Sequence, residues 1–145
     1  MEQDKKIIYL DSNIFIFALI DSELNNKNAL ALLYFIAQGN VVAYTCSLTL
    51  DEFLWISMKT LGTEDAVLAC RALMDIPNLK ILKVDKTTIL KSLDFVSRGL
   101  KPRDSIHLAA MALQGIKEVV TQDSDFNKIS EIDVFSLEHY LQTSH

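Results

Sequence analysis

The sequence predicts one α/β domain over residues 1–145, a three-layer α/β/α sandwich around a mainly parallel central sheet of four to five strands. Three observations predict it. Short apolar runs alternate with longer segments of helical periodicity, the βαβ order whose right-handed crossovers place helices on both faces of a sheet. The strand-like runs are almost wholly apolar, as strands covered on both faces are. The chain also carries only 4 Gly and 2 Pro, too few for the many turns of a β-sandwich or barrel.

Each element has its own signal. Ile7-Ile8-Tyr9-Leu10, after Lys5-Lys6, forms a first strand that stops at Asp11. Asp21, Glu23, Asn25 and Asn26 read as a polar loop, either a rim or lid or a solvated connection. Ala29, Leu30, Leu32, Leu33, Phe35 and Ile36 predict a helix over about 26–38, stopped by Gly39-Asn40. Val41-Val42-Ala43-Tyr44 is the second strand. Leu50, Phe53, Leu54, Met58 and Leu61 stripe a helix from about Leu48 to Leu61, ended by Gly62. Thr63, with Asp65 and Ala66, opens the next helix, which Ile76-Pro77-Asn78 closes. Leu79 to Val84 alternates like an edge strand with one wetter face. Asp85 caps a helix over 86–97, and Pro102 sets the first turn of another that runs to Gln114 and ends at Gly115. Glu118 to Thr121 is a buried strand, and Val134-Phe135 is a short last strand before a C-terminal helical turn.

Composition excludes several classes. Half the residues are hydrophobic and 23% charged, which rules out disorder and low complexity. Cys46 and Cys70 lack partners at metal spacing and read as buried free thiols. No apolar run reaches the roughly 20 residues of a membrane span, and nothing at the N-terminus resembles a secretory signal, so the expected location is cytoplasmic. A net charge of −5 argues against a broad basic surface for long nucleic acid. It leaves room for a nuclease, whose clustered catalytic acids add negative charge.

The carboxylates carry the chemistry. In an open parallel sheet, ligands bind beyond the carboxyl ends of the strands, where Asp11 follows the first strand and Asp123 lies two residues past Thr121. Glu52 is about 200° round its helix from Leu50, beside Leu48, Trp55 and Ile56, and so sits in apolar company. Asp104 opens a helix that is apolar almost all round, which makes it buried or cleft-facing. Singly, each acid also reads as a turn residue or a dipole partner. Together they are four like charges with few nearby cations, and a cation is needed between them. Oxygen-only ligands suit Mg²⁺ or Mn²⁺, and no His/Cys cluster points to zinc.

Leu10-Asp11-Ser12-Asn13-Ile14-Phe15, Ser47 to Phe53, Arg103 to Ala110 and Val120-Thr121-Gln122-Asp123-Ser124-Asp125-Phe126 resemble the four signature segments of PIN domains. The nearest branch in resemblance is the VapC-type toxins of toxin–antitoxin pairs, over about residues 7–135. The resemblance implies a Mg²⁺- or Mn²⁺-dependent ribonuclease with an acidic quartet of Asp11, Glu52, Asp104 and Asp123 as catalytic and metal-holding residues. Asp11 and Asp104 would be central, with Glu52 and Asp123 completing the shell or positioning water. Thr121 matches a hydroxyl position that orients Asp123 or a water, or is simply a strand Thr. Asp125 is either a supporting residue or the cap of a short helical turn.

Arg103 is the first candidate for phosphate contact, followed by Lys101, Arg98 and Lys59. His107, one turn after Asp104, reads as a satisfied helix histidine rather than a general base. The apolar content of the early helices (Phe15, Phe17, Tyr34, Phe35) exceeds what one small core requires. With the resemblance, it implies a homodimer and a cognate antitoxin as partners beside the RNA substrate. A non-catalytic PIN-like module binding RNA or protein is the alternative. A phosphoacceptor domain fits poorly, because Asp4 is too far from Asp11 for an acidic pair and Lys117 precedes its strand.

Overall fold

A computed structural model describes residues 5–20 and 23–144. Five parallel strands, β1 (Ile7–Leu10), β2 (Val42–Cys46), β3 (Leu79–Leu82), β4 (Glu118–Val120) and β5 (Asp133–Phe135), lie in the order β3-β2-β1-β4-β5. The three-layer α/β/α architecture follows from their burial. Ile8 and Leu10 of β1, with Ala43 and Val120, pack into one core, while Tyr9, Tyr44, Cys46 and Val119 pack into the other. This alternation is the period-2 pleat with both faces covered. β3 is an edge strand, as its alternation predicts.

Among the described residues, seven α-helices cover the sheet: α1 (Ser12–Ile20), α2 (Glu23–Ala37), α3 (Ser47–Leu61), α4 (Thr63–Met74), α5 (Lys86–Ser97), α6 (Pro102–Gln114) and α7 (Leu137–Thr143). Phe15, Leu32, Ile36, Phe53, Leu73 and Tyr140 bring α1 to α4 and α7 to one core, and Phe95, Leu108 and Met111 bring α5 and α6 to the other. The ends obey local chemistry. Asp85 and Thr88 form a capping box at the start of α5. Gly115 closes α6 in the left-handed region at φ 75°.

Two expectations change here. The polar segment before residue 26 is not a loop where it is described: Glu23, Asn25 and Asn26 belong to α2, and Asp21 lies outside the described residues. Asn26 turns its amide back to donate to the carbonyls of Phe17 and Ala18 at 3.1 and 2.8 Å, satisfying the C-terminal end of α1. The α1 helix itself has no amphipathic signal, since eight of its residues after Ser12 include only one polar side chain, Asn13. Second, the predicted stripe of α3 is only partly inward, because Phe53 is buried while Met58 and Leu61 are exposed. Among the described residues, no helix is long and apolar enough to cross a membrane. Cys46 and Cys70 are both free and buried, Cys46 at the end of β2.

Candidate active site

Strand order reverses between β1 and β4, the topological switch point at which a parallel sheet opens a crevice. Tyr9 pairs with Val119 and Leu10 with Val120, so the next residues, Asp11 and Thr121, leave the sheet side by side. The backbone N–H of Asp11 still donates to the Val120 carbonyl at 3.2 Å, and that of Thr121 to Phe135 at 3.0 Å. Both residues are buried.

The Asp11 carboxylate is held on both oxygens. Oδ1 accepts from the Ser12 backbone N–H at 2.7 Å, and Oδ2 accepts from the Thr121 hydroxyl at 2.7 Å. The same Thr121 oxygen accepts the Asp123 backbone N–H at 3.0 Å, so one hydroxyl sets both the first carboxylate and the chain that carries the last. Asp123 then caps the 3₁₀ turn Ser124–Lys128, its Oδ1 accepting from Asp125 N–H at 2.9 Å. The cap of that turn is therefore Asp123 and not Asp125.

Ligand atoms of Asp104, Asp123 and Asp125 lie within 4.8 Å of one another, each side chain partly buried. Burial, followed by the negative charges of Asp123 and Asp11, with His107 opposing and Asp125 adding, pushes the Asp104 carboxyl up to about 6. Lys128 reaches Asp125 at 3.5 Å. Three hard oxygen donors under mutual repulsion fit a divalent cation such as Mg²⁺ or Mn²⁺. Asn13, whose Nδ2 reaches Asp11 Oδ2 and the Thr121 hydroxyl at 3.4 Å each, has a buried Oδ1 with no hydrogen-bond partner among the described residues, an acceptor available to a coordinated water.

Glu52 comes to the site differently from its sequence expectation. Its helix-mate Trp55 is 60% exposed, and the company of the carboxylate is polar. Oε1 is 2.9 Å from Nε2 of His107. Burial raises the Glu52 carboxyl, but the hydrogen bond and charge of His107, helped by the Ser12 hydroxyl and the Arg103 charge, bring it below the usual range.

His107 is the residue whose reach the sequence did not disclose. It is 1% exposed. Nδ1 meets the Tyr9 hydroxyl at 2.7 Å and the Cys46 sulfur at 3.6 Å, and Nε2 lies 3.5 Å from Asp11 Oδ1. Burial disfavours its charge, but Cys46, Glu52 and Asp11 outweigh burial and push the imidazole up to about 10. It is a satisfied helix histidine, yet it touches three elements around the acids. The signal available in the sequence was its i, i+3 spacing from Asp104 on an otherwise apolar helix.

The candidate phosphate contacts divide. Arg103 is exposed near Glu52, and Lys101 is exposed at the start of α6. Lys59 lies over the Trp55 ring at 4.2 Å. Arg98 is spent elsewhere, in a two-pronged pair with Glu131 at 2.7 and 2.8 Å.

Residues 8–132 match the PIN-domain family. Solved structures share the fold at low identity. VapBC2 from Rickettsia felis, bound to a promoter DNA fragment, is 16% identical with a TM-score of 0.68, covering 90% of this chain and 98% of its own. The Mycobacterium tuberculosis toxin VapC20, which cleaves the sarcin-ricin loop, is 18% identical with a TM-score of 0.67, over 83% and 92%. DNA-bound VapBC from Salmonella typhimurium is 21% identical with a TM-score of 0.66, over 92% and 98%. No curated protein sequence matches this chain. A five-stranded parallel sheet with acids at its switch point and a family match over residues 8–132 lead to one conclusion: the chain belongs to the PIN-domain family.

Proposed function

We propose that this protein is a Mg²⁺- or Mn²⁺-dependent endoribonuclease and the toxin of a toxin–antitoxin pair. The observation that carries the reading is the convergence of Asp104, Asp123 and Asp125 beside a doubly held Asp11 at the switch point. When bound there, a divalent ion supplies Lewis-acid charge at the scissile phosphate and activation of the attacking water.

The residues of the chain provide the frame. Asp11, Asp104 and Asp123 would hold the ion, with Asp125 alongside and Glu52 completing the acid set. Thr121 fixes the Asp11 carboxylate and the Asp123 backbone, so neither acid has to reorganise when substrate arrives. Arg103, exposed beside Glu52, is placed to receive a backbone phosphate.

A partner has a place to dock. An apolar groove of about 310 Å³ runs between α1, α2, α3 and α4, lined by Phe15, Leu19, Leu33, Phe53, Leu73 and Ile76. A helix with apolar side chains at i, i+3 and i+4 would fill it, and an antitoxin segment is the proposed occupant. The structures similar to this one include toxin–antitoxin complexes from Klebsiella pneumoniae and Salmonella typhimurium. Helix α5 also exposes Ile89, Leu90, Leu93 and Val96, the proposed contact of a homodimer.

The test is cleavage of a mixed-sequence RNA by purified protein in Mg²⁺, Mn²⁺ or EDTA, beside an Asp104→Asn variant. Cleavage that requires metal and falls at least about a thousandfold in the variant supports the reading. Metal binding without cleavage of any RNA offered would favour the non-catalytic module.

A further inference from the structure

We propose that His107 is a positioning residue, holding the Glu52 carboxylate on the Asp11 side of the site through its Nε2–H while Tyr9 holds the other side of the ring. The inference rests on the nuclease reading and adds to it a residue outside the acidic set. Glu52 stands on α3, Asp11 at the end of β1 and Asp104 on α6, and His107 is the side chain that meets the first two while sharing a helix with the third. Nε2 is 2.9 Å from Glu52 Oε1 and 3.5 Å from Asp11 Oδ1, within direct hydrogen-bond reach of Glu52 and too far for one to Asp11.

The geometry serves both the Nε2–H tautomer of the neutral ring and the imidazolium. In the neutral ring, the Tyr9 O–H donates to Nδ1 at 2.7 Å and leaves the proton on Nε2. In the imidazolium, Nδ1–H donates to the Tyr9 oxygen instead, and Nε2–H still faces Glu52. In both of these states the carboxylate finds a donor. Tyr9 is itself fully buried, so the relay from sheet to ring to carboxylate is closed to water at its inner end. Glu52 has otherwise a long, rotatable side chain, and freezing it costs entropy that a buried donor offsets. Residues that orient a ligand in this way typically change metal affinity or activity by about 10- to 100-fold when removed.

The experiment is a double-mutant cycle read in two ways, by Mn²⁺ affinity from electron paramagnetic resonance titration and by RNA cleavage. His107→Leu removes the donor with little change in volume, and Glu52→Gln removes the charge it holds. Each single variant is expected to weaken Mn²⁺ binding about tenfold and to lower kcat more than it raises KM. The double variant is expected to be no weaker than the worse single variant, because the histidine acts through the glutamate. His107→Gln, which keeps a donor at the end of its side chain, is expected to recover Mn²⁺ affinity to within about threefold of the unaltered protein.

Losses that multiply in the double variant would overturn the proposal, as would wild-type Mn²⁺ affinity in a folded His107→Leu. If His107→Leu does not fold, His107→Gln decides alone: a folded glutamine variant as weak as Glu52→Gln would overturn the proposal, and near-native affinity would support it. A wild-type protein that binds Mn²⁺ with this coupling yet cleaves no RNA would sink the nuclease reading and leave the role of His107 intact.

Discussion

Asp104 bears the electrostatic strain of the site. Its carboxyl, raised by burial and by Asp123 and Asp11 to about 6, holds its proton more tightly folded than unfolded. The folded protein therefore binds more protons between about pH 4 and 6, and the metal-free protein loses stability as pH rises through that window. Asp104→Asn should remove the repulsion and raise the melting temperature of metal-free protein at pH 7 by a few degrees, while abolishing the further rise that Mn²⁺ brings. A lower melting temperature in the variant would show that Asp104 is not strained. The same carboxyl must release its proton when an ion binds, so Mn²⁺ affinity by calorimetry should be flat above about pH 7 and fall by up to tenfold per pH unit below 6. The places of Asp11, Asp104 and Asp123 were legible in the sequence, because a strand end and a helix start have fixed places in a parallel sheet, whereas the approach of Asp125 to Asp104 and Asp123 was not. Nor were the contacts of Glu52. A helical wheel says which face of α3 it occupies, whereas His107 arrives from α6, and only tertiary packing brings the two together.

At the scale of elements, the inner strands were legible as short, almost wholly apolar runs, and most helices because a period-3.6 pattern survives wherever one side is wet. The α1 helix was missed for the opposite reason. It carries Ile14, Phe15, Ile16 and Phe17 in succession and has neighbours on most sides, so no stripe marks its axis. Its C-terminal end is recognised by Asn26, whose amide donates to two carbonyls, a role that resembles a polar loop when read as composition. Asn26→Ala should cost about 1 kcal/mol in urea denaturation. Asn26→Asp should cost more, since a carboxylate cannot donate and would face the two carbonyl oxygens. An aspartate variant as stable as the alanine one would refute this account of the cap. Because α1 begins with Ser12 and Asn13 beside Asp11, a loosened α1 should also weaken Mn²⁺ binding slightly, by less than about threefold.

For the whole molecule, acid site and apolar groove draw on different layers of the structure. The acids sit at the switch point of the sheet, while the groove lies among α1 to α4. Leu33, on α2, lines the groove and has no contact with an acid described above. Leu33→Glu should therefore leave Mn²⁺ affinity and RNA cleavage within about twofold of the unaltered protein and prevent co-purification with the product of an adjoining reading frame. Retained capture would move the partner to another face. Light scattering should give twice the 16.4 kDa chain mass, and the chain mass alone would leave the exposed stripe of α5 without a second copy.

The pairing of β1 with β4 has a consequence in time as well as in space. Tyr9 and Val119 are neighbours in the sheet although most of the chain separates them, so the contact that sets Asp11 beside Thr121 is among the least local in the molecule. During synthesis, β1 can find β2 early, but the crevice has only one wall until β4 is made. A partial chain ending before Asp123 cannot assemble the acid cluster, however well its first helices have packed. On the proposed nuclease reading, the site is thereby silent on the ribosome until Asp123 has emerged.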